Sequence, residues 1–437
     1  MTMTGNEEKY AKSKELLKEA KKLIPSCTQT FSKGPTQFVQ GGVSPAYLMK
    51  GKGCHVFDVD GNEFIDFPLA LGPVTLGYSY PRTNEAIIRQ LGNGITFSLM
   101  HPLEIELAKI LVDIIPCAEM VRYAKNGSDA TMGAIRASLA FTDREKIACC
   151  GYHGWNDWYI STTTRDKGIP KAFKNITHTF NYNDIESLEM LFENHKGEIG
   201  AVIMEPVSLI EPENNFLQKV KELAHKNGAV LIFDEIVTGF RIALAGAQER
   251  YGVVPDLACF GKGIANGMPL SVVVGNKEIM KIFDEIFFSG TNGGETLSLT
   301  AAIETIKEIR EKDAISHFWK IGSLLQDGYN RLAEEKGLGK ITRSIGLPPH
   351  TVFEFSDREG NESLLLKSIF LQETLKHGVL FSGTQNICLS HTEEDISKAL
   401  YAVEKAFDVL KDALESGSLE SYLNGESVKP VFRKKKY

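Results

Sequence analysis

A lysine held between glycines and a pair of adjacent acids are the residues of this 437-residue chain best suited to chemistry. Lys262 lies in the segment Phe260–Gly263, directly after an apolar run typical of a buried strand. Partial burial lowers the pKa of a lysine and makes its amine a nucleophile toward an aldehyde. Asp234 and Glu235 end an earlier apolar run, where open α/β sheets bind ligands. A buried carboxylate there needs a cationic partner, either a metal ion or a protonated heterocyclic nitrogen.

Two further segments could bind a planar, phosphorylated ligand. Gly127 and Ser128 open an amphipathic helix, whose N–H groups and dipole favour a phosphate. Tyr152 lies in the segment Gly151–Trp155, where flanking glycines let a ring lie against a planar group. Taken singly, each feature has an ordinary explanation: helix capping by Ser128, loop packing of the aromatic rings, a solvated loop lysine. Together they supply a phosphate site, a stacking ring, an acid for a ring nitrogen and a Schiff-base lysine, which pyridoxal 5′-phosphate (PLP) requires.

From about residue 80 to 310, helices alternate with short apolar runs. These elements must position the candidate site residues. Five of the runs are continuous and largely apolar, as strands buried on both faces are: Ile147–Cys150, Ala201–Met204, Val230–Phe233, Leu257–Phe260 and Ser271–Val274. This alternation predicts a doubly wound, mostly parallel α/β sheet. An N-terminal helix and β-hairpin, together with the helices and strands after residue 320, predict a smaller α+β domain. The expected domains are residues 1–66, joining the small domain, 67–320, the large domain, and 321–437.

Composition excludes several classes of function. Lys and Arg number 49 against 56 Asp and Glu, a net charge of −7, so no basic surplus favours nucleic acid. The longest apolar runs are strand-sized, so no membrane span is expected. Seven scattered cysteines without a CxxC pair indicate reduced thiols of a cytoplasmic enzyme, with neither a disulfide framework nor a zinc knuckle. No metal site is predicted, and the basic tail 432–437 is typical of a solvated terminus.

The segment Leu231–Gly275 resembles the signature of the class III PLP-dependent aminotransferases, in the branch around glutamate-1-semialdehyde aminomutase. The likeness extends from about residue 20 to 410 and includes Asp58–Gly61 and Asn126–Arg136. It implies the fold type I architecture of PLP-dependent transferases. In that fold a large, mostly parallel, seven-stranded α/β domain is accompanied by a smaller α+β domain.

The resemblance also implies a role for individual residues. Lys262 would hold PLP covalently and move the substrate proton, and Asp234 would pair with the pyridinium nitrogen. Thr291 would reach the phosphate from the neighbouring subunit, which implies a homodimer. The remaining residues expected to bind the cofactor are Gly127, Ser128, Tyr152, Glu205 and Ile236, with Glu205 the least defined in role.

Departures from the aminomutase bear on the substrate. The stretch Thr28–Ser32 has no arginine where the aminomutase has one for the substrate carboxylate. Loss of such a charge-assisted contact costs about 2–3 kcal/mol. Trp155, Trp158 and Tyr159 form an aromatic cluster suited to a polyhydroxylated molecule. We therefore expect a ping-pong transaminase that moves an amino group from L-glutamate to a keto-sugar for bacterial surface polysaccharide, of the 8-amino-3,8-dideoxyoctulosonate type.

Two alternatives remain open. The first is the aminomutase, an isomerase that keeps nitrogen on one carbon skeleton and needs no external amino donor. The second is a non-catalytic protein that has kept the fold. Intact Lys262, Asp234 and Tyr152 argue against the second, because a binding protein has no need of all three.

Overall fold

The computed structural model describes residues 9–430, so the basic tail 432–437 lies outside the described residues. Within this range lie 14 strands: β1 Leu48–Lys52, β2 His55–Asp58, β3 Glu63–Asp66, β4 Met120–Ala124, β5 Lys146–Cys150, β6 Thr177–Thr179, β7 Ile199–Met204, β8 Val230–Asp234, β9 Leu257–Phe260, β10 Ser271–Gly275, β11 Thr342–Leu347, β12 His350–Phe355, β13 Val379–Leu380 and β14 Gln385–Asn386.

The same range contains 13 α-helices: α1 Ala11–Leu23, α2 Pro81–Leu91, α3 Pro102–Ile114, α4 Gly127–Thr142, α5 Asp157–Ile160, α6 Ile185–Asn194, α7 Phe216–Lys226, α8 Ala247–Tyr251, α9 Lys277–Met280, α10 Thr296–Glu311, α11 Ala314–Glu335, α12 Leu364–Lys376 and α13 Glu393–Ser416. Not one of these helices combines the length and the apolar character that crossing a membrane requires. The seven cysteines, all within the described range, are free thiols.

The first of two compact units comprises residues 9–80 and 316–430. It contains a four-stranded sheet of order β1-β2-β3-β13 and a three-stranded sheet of order β11-β12-β14. The predicted hairpin is confirmed, since β2 and β3 pair antiparallel with His55 opposite Ile65. Its core is rich in aromatic rings, of which Tyr329 and Phe353 stack with centroids 4.0 Å apart.

Residues 67–80 belong to this first unit, whereas the sequence placed the division after residue 66. Backbone hydrogen bonds explain the difference. The N–H of Asn386 donates to the Phe67 carbonyl at 2.7 Å, and the N–H of Leu389 to Thr75 at 2.9 Å. Such long-range pairing leaves no mark on local composition. The second division follows residue 315, where the sequence placed it after residue 320.

The second unit, residues 81–315, is built on a seven-stranded sheet of order β4-β10-β9-β8-β7-β5-β6. Strands β6, β5, β7, β8 and β9 run parallel, and β10 is antiparallel to both β9 and β4. The predicted mostly parallel sheet is therefore confirmed. Every residue of β7, β8, β9 and β10 is buried, as their uninterrupted apolar sequences predicted.

Helix α4 packs on this sheet mainly through small residues. Ala130 and Ala134 are fully buried in the core cluster, as is Ile135, whereas Met132 and Leu139 are only partly buried. Small side chains let the helix lie close to the sheet, and this closeness fixes the position of the first turn of the helix.

A substitution at Gly322 tests how closely α11 packs in the first unit. A Cβ added at this position would lie 2.0 Å from the Pro348 carbonyl oxygen. We predict that Gly322→Ala destabilises the unit by about 1–3 kcal/mol through overpacking, although alanine favours a helix by about 1 kcal/mol. Urea unfolding followed by circular dichroism measures the effect. Gly383→Ala is the control, since nothing lies within 4 Å of its added Cβ; equal midpoints for both variants would contradict the prediction.

Candidate active site

Four parallel strands of the second unit bring sequence-predicted residues to one edge of the sheet. Strands β5, β7, β8 and β9 are consecutive neighbours, so their carboxyl ends lie side by side. Tyr152 follows β5, Glu205 follows β7, Asp234 ends β8 and Lys262 follows β9. This edge is where open α/β sheets bind ligands. The expected position of the site therefore follows directly from strand order.

Asp234 is 4% exposed and has a buried partner that the sequence analysis did not single out. Its Oδ2 lies 2.8 Å from Nδ1 of His153, and Oδ1 accepts the N–H of Ile236 at 3.2 Å. The other ring nitrogen, Nε2, lies 3.1 Å from the Cys150 carbonyl. Both ring nitrogens therefore face oxygen atoms, which hold the imidazole from two sides. The imidazole thus orients the carboxylate, and no local feature of the sequence distinguishes His153 from an ordinary loop residue.

Lys262 is partly exposed and has a backbone φ of +37°, in the left-handed region that costs a non-glycine residue about 1 kcal/mol or more. Burial of the amine lowers its pKa, as expected, and the nearby Arg241 guanidinium acts in the same direction. Glu205 and Asp234 oppose this shift by attracting the ammonium. The lysine therefore lies between two acids while keeping its pKa below the ordinary value. A larger fraction of neutral, nucleophilic amine results.

Glu205 fixes the backbone that carries Tyr152. Its Oε2 accepts the Tyr152 N–H at 2.9 Å, and burial raises the pKa of the carboxyl. Gly151 has a φ of +111°, and a Cβ there would lie 2.5 Å from the same oxygen, so this turn requires glycine. The Tyr152 ring is 48% exposed and contacts Tyr159 edge-on, with centroids 5.5 Å apart. Tyr152 is therefore about half exposed, with its ring packed edge-on against Tyr159.

Gly127 and Ser128 occupy the first turn of α4, where backbone N–H groups have no partner within the helix. The helix cap is Asn126, which forms a capping box with Asp129, so Ser128 does not serve as the cap. The Ser128 hydroxyl is buried and accepts the N–H of Trp155 at 3.2 Å. The first turn therefore offers a hydroxyl and N–H groups to an anion.

Ile236 joins this helix start to the lysine loop. A Cβ added at Gly127 would lie 2.9 Å from Ile236 Cδ1, and one added at Gly261 would lie 3.1 Å from the same atom. The structure thus brings together Gly127, Ile236 and the loop of Lys262. The elements that share this sheet edge carry phosphate donors, an apolar side chain, an exposed aromatic ring, a buried acid and an amine. This donor set fits PLP.

Thr291 lies on a loop beside the edge strand of the sheet. It is exposed on the loop after β10 and α9, and this loop lies against the edge strand β4, since a Cβ added at Gly293 would be 3.6 Å from the Tyr123 carbonyl oxygen. Strands β10 and β9 separate β4 from β8. Contact between Thr291 and a phosphate thus stays a prediction that involves a second subunit.

Glu235, the second predicted acid, is fully buried and serves a neighbouring loop. Its carboxylate accepts the N–H groups of Ala247 at 2.8 Å and Gln248 at 3.0 Å, and also the Thr238 hydroxyl. Burial raises the pKa of the Glu235 carboxyl to about 7, although these hydrogen bonds act to lower it. Of the two adjacent acids, Asp234 therefore contacts His153, and Glu235 holds the segment that contains Arg241.

The aromatic cluster expected to contact a sugar is largely core. Trp158 and Tyr159 are 3% and 1% exposed and belong to the apolar core of the second unit. Both rings pack on His153, with centroids 6.0 and 5.5 Å away. Trp155 alone is exposed. The interpretation of these three residues as a carbohydrate surface was wrong for the two that instead position the imidazole beside Asp234.

Comparison with known proteins identifies the family. The model of the family "Aminotransferase class-III" matches residues 38–414. The chain is a class III aminotransferase. It is 36% identical over 421 residues to 3-aminobutyryl-CoA aminotransferase of Cloacimonas acidaminovorans (strain Evry), covering 93% of this chain and 99% of the relative. It is 35% identical to glutamate-1-semialdehyde 2,1-aminomutase of Acetivibrio thermocellus, with 91% and 98% covered.

A solved structure extends the likeness to the fold and the cofactor. The FumI protein of Sphingopyxis sp. MTA144, in its PLP internal aldimine form, has a TM-score of 0.86 and 26% identity, covering 93% of this chain and 98% of that one. The fold of PLP-dependent aminotransferases and the use of PLP, both implied by the sequence, are confirmed. The individual residue roles rest on the geometry described above.

The contact between His153 and Asp234 generates a prediction for the aminotransferase. We expect His153→Leu to weaken PLP binding by about tenfold to a hundredfold, because the buried carboxylate loses a charge-assisted hydrogen bond. Titration of the apoenzyme with PLP, followed by visible absorption, measures the dissociation constant. The control is His178→Leu, which makes the same replacement in strand β6. There His178 stacks on His195, with centroids 4.1 Å apart, and has no role in the site. An equal loss in both variants would show that His153 has no specific role.

Proposed function

We propose that this class III aminotransferase is a cytoplasmic, homodimeric transaminase that takes an amino group from L-glutamate and passes it to a carbonyl acceptor by a ping-pong mechanism. The observation that carries the proposal is the meeting of Lys262, Asp234, Glu205 and Tyr152 at one sheet edge, beside the first turn of α4. When bound, PLP supplies an electron sink for breaking the Cα–H bond of the donor.

Each side chain has a distinct task in this proposal. Lys262 would hold the cofactor covalently, and its amine, once free, would accept the proton from the substrate carbon. Asp234, oriented by His153, would hold the ring nitrogen in its protonated form. Tyr152 and Ile236 would contact the ring, and Gly127 and Ser128 would bind the phosphate. Glu205 fixes the backbone of Tyr152.

The N-terminal stretch supports an external donor over the internal transfer of an aminomutase. Thr28–Ser32 offers no arginine, and the Thr28 hydroxyl is used locally, donating to the Thr30 carbonyl at 2.9 Å. The next cation in sequence, Lys33, lines a cavity of the first unit together with the buried Asp66, whose raised pKa it partly lowers. The charge of Lys33 therefore already acts on Asp66, and the stretch before it has no arginine for a substrate carboxylate.

The proposed acceptor is a carbonyl compound whose carboxyl group is esterified or remote from the reacting carbon. This class includes a 3-oxoacyl thioester, in keeping with the name of the relative from Cloacimonas acidaminovorans. It also includes the keto-sugar that would give 8-amino-3,8-dideoxyoctulosonate. Burial of Trp158 and Tyr159 removes the aromatic support for the sugar, so the thioester is the first acceptor to test.

The proposed donor reaction has a direct test. We predict that the PLP form incubated with L-glutamate produces about one equivalent of 2-oxoglutarate per site and loses its visible band, because the amino group stays with the cofactor. Addition of 3-oxobutyryl-CoA or the keto-sugar restores the band if that compound is the acceptor. Lys262→Ala is the control and shows neither change. Production of 5-aminolevulinate from glutamate-1-semialdehyde without 2-oxoglutarate would instead identify the aminomutase.

An exposed apolar surface on the second unit supports the homodimer. Its members come from residues 88–105 and from Phe287: Ile88, Leu91, Ile95, Phe97, Leu99, Met100, Ile105 and Phe287 are all at least 43% exposed. Ile105 also lines an open cavity together with Gly290 and Gly293, which flank Thr291. Apolar surfaces of this extent are typical of protein interfaces. A second copy covering this surface would bury Thr291 at the interface, as the resemblance implies.

The dimer proposal predicts the effect of a charge at this surface. Met100 is 83% exposed in the single chain, so Met100→Asp should fold normally but dissociate the dimer, because an interface would bury the carboxylate unpaired. Light scattering coupled to size-exclusion chromatography reports the mass. The matched control is Met190→Asp on α6, where Met190 is 60% exposed. A wild-type monomer, or a Met100→Asp protein that remains dimeric, would contradict the proposed interface.

A further inference from the structure

Three side chains with metal-binding atoms meet in the first unit, whereas the residues assigned to PLP all belong to the second. Cys54 and His55 lie at the start of β2, and Asp395 lies in the first turn of α13. The Cys54 Sγ is 3.4 Å from Asp395 Oδ2, and His55 Nε2 is 3.2 Å from Asp395 Oδ1. One ligand atom from each of the three lies within 4.8 Å of the others. Sequence spacing could not reveal this group, because His55 and Asp395 are 340 residues apart.

The separations match those of a tetrahedral zinc site. Zinc binds cysteine sulfur at about 2.3 Å and histidine nitrogen or carboxylate oxygen at about 2.1 Å. At tetrahedral angles these bonds place sulfur and oxygen about 3.6 Å apart, and nitrogen and oxygen about 3.4 Å apart. The observed 3.4 Å to Oδ2 and 3.2 Å to Oδ1 show that both ligands already contact the carboxylate. Since all three ligand atoms lie within 4.8 Å of one another, side-chain rotation alone would bring them into a coordinating arrangement.

We propose that Cys54, His55 and Asp395 bind a divalent transition metal ion of the zinc class, with a water molecule in the fourth position. Binding releases the proton of the Cys54 thiol to solvent, and His55 binds through an unprotonated Nε2. The metal–sulfur and metal–nitrogen bonds replace the hydrogen bonds that these atoms make to Asp395. Thiolate, imidazole and carboxylate together are a donor set that suits zinc and disfavours magnesium or calcium.

The surroundings supply an entry route and an outer hydrogen bond. His55 lines an open cavity of about 590 Å³, together with Glu63 and His377, so an ion can reach the imidazole from solvent. His55 Nδ1 lies 2.9 Å from Glu63 Oε1. A carboxylate on the second nitrogen fixes the orientation of a metal-binding imidazole and raises its basicity. Glu63 is thus a positioning residue in the proposed site.

Asp395 also has a structural task, which is compatible with metal binding. It belongs to the capping box of α13, where its Oδ2 accepts from the Thr392 N–H at 2.9 Å and from the Thr392 hydroxyl at 2.7 Å. Its Oδ1 faces His55. A bound ion would therefore join β2 to the start of α13. It would stabilise the first unit by mass action, since the unfolded chain does not hold the three ligands together.

The experiment uses the purified PLP-loaded protein and Co²⁺ as the probe. We expect one Co²⁺ per chain by metal analysis after dialysis, with tetrahedral ligand-field bands and a thiolate charge-transfer band. The unfolding temperature should rise with Co²⁺ or Zn²⁺. His55→Gln should weaken binding by more than about tenfold, and Glu63→Gln by about tenfold. Cys54→Ala should abolish the charge-transfer band.

Two matched variants separate this site from non-specific binding. His377→Gln alters a histidine of the same cavity that is not a proposed ligand, and Cys117→Ala removes a buried thiol of the second unit. Both should bind Co²⁺ like the wild type. Equal binding by wild type and His55→Gln, or a spectrum without thiolate charge transfer, would overturn the proposal. His55 carries the decisive comparison, because its side chain is 31% exposed and its replacement need not disturb the core if Cys54→Ala fails to fold.

Discussion

The buried carboxylate of Asp234 imposes requirements on everything around it. An ionised acid that is 4% exposed costs several kcal/mol unless it is paired and hydrogen-bonded. The protein offsets this cost with His153, 2.8 Å away, and with the N–H of Ile236 at 3.2 Å, and a cationic ring nitrogen is the further partner that we propose. His153 in turn needs the Cys150 carbonyl and the packed rings of Trp158 and Tyr159 to hold its orientation. The carboxyl ends of neighbouring parallel strands are where such partners can converge.

Lys262 lies under opposing influences from the same environment. Burial and Arg241 disfavour the ammonium, whereas Glu205 and Asp234 favour it, and the net effect is a lowered pKa. A lysine without nearby acids would be costly to bury as a cation. A lysine bound closely to an acid would stay protonated and unreactive. The intermediate arrangement keeps the amine of Lys262 nucleophilic. The left-handed backbone of Lys262, next to Gly261, places this residue directly after β9.

Much of the second unit could be predicted, because buried parallel strands are apolar without interruption and their ends carry the polar residues. Lys262, Asp234 and Tyr152 were found in this way. His153 was passed over, because a lone histidine between glycines has no local signal that distinguishes a partner of Asp234 from a loop residue. Trp158 was wrongly interpreted as a surface residue, although it is buried. The sequence does not show whether an aromatic side chain in a polar segment faces solvent or core.

By itself, the sequence determined the family, the alternation of strands and helices, and which residue types stand at the strand ends, because these depend on local periodicity and short motifs. Only the tertiary structure decided which groups are partners. The pairing of Asp234 with His153, the hydrogen bond between Glu205 and the Tyr152 backbone, and the approach of His55 to Asp395 each join distant parts of the chain. Hydrogen bonds and metal coordination act over about 2–3 Å. Such contacts are therefore decided by the path of the folded chain, which sequence separation does not encode.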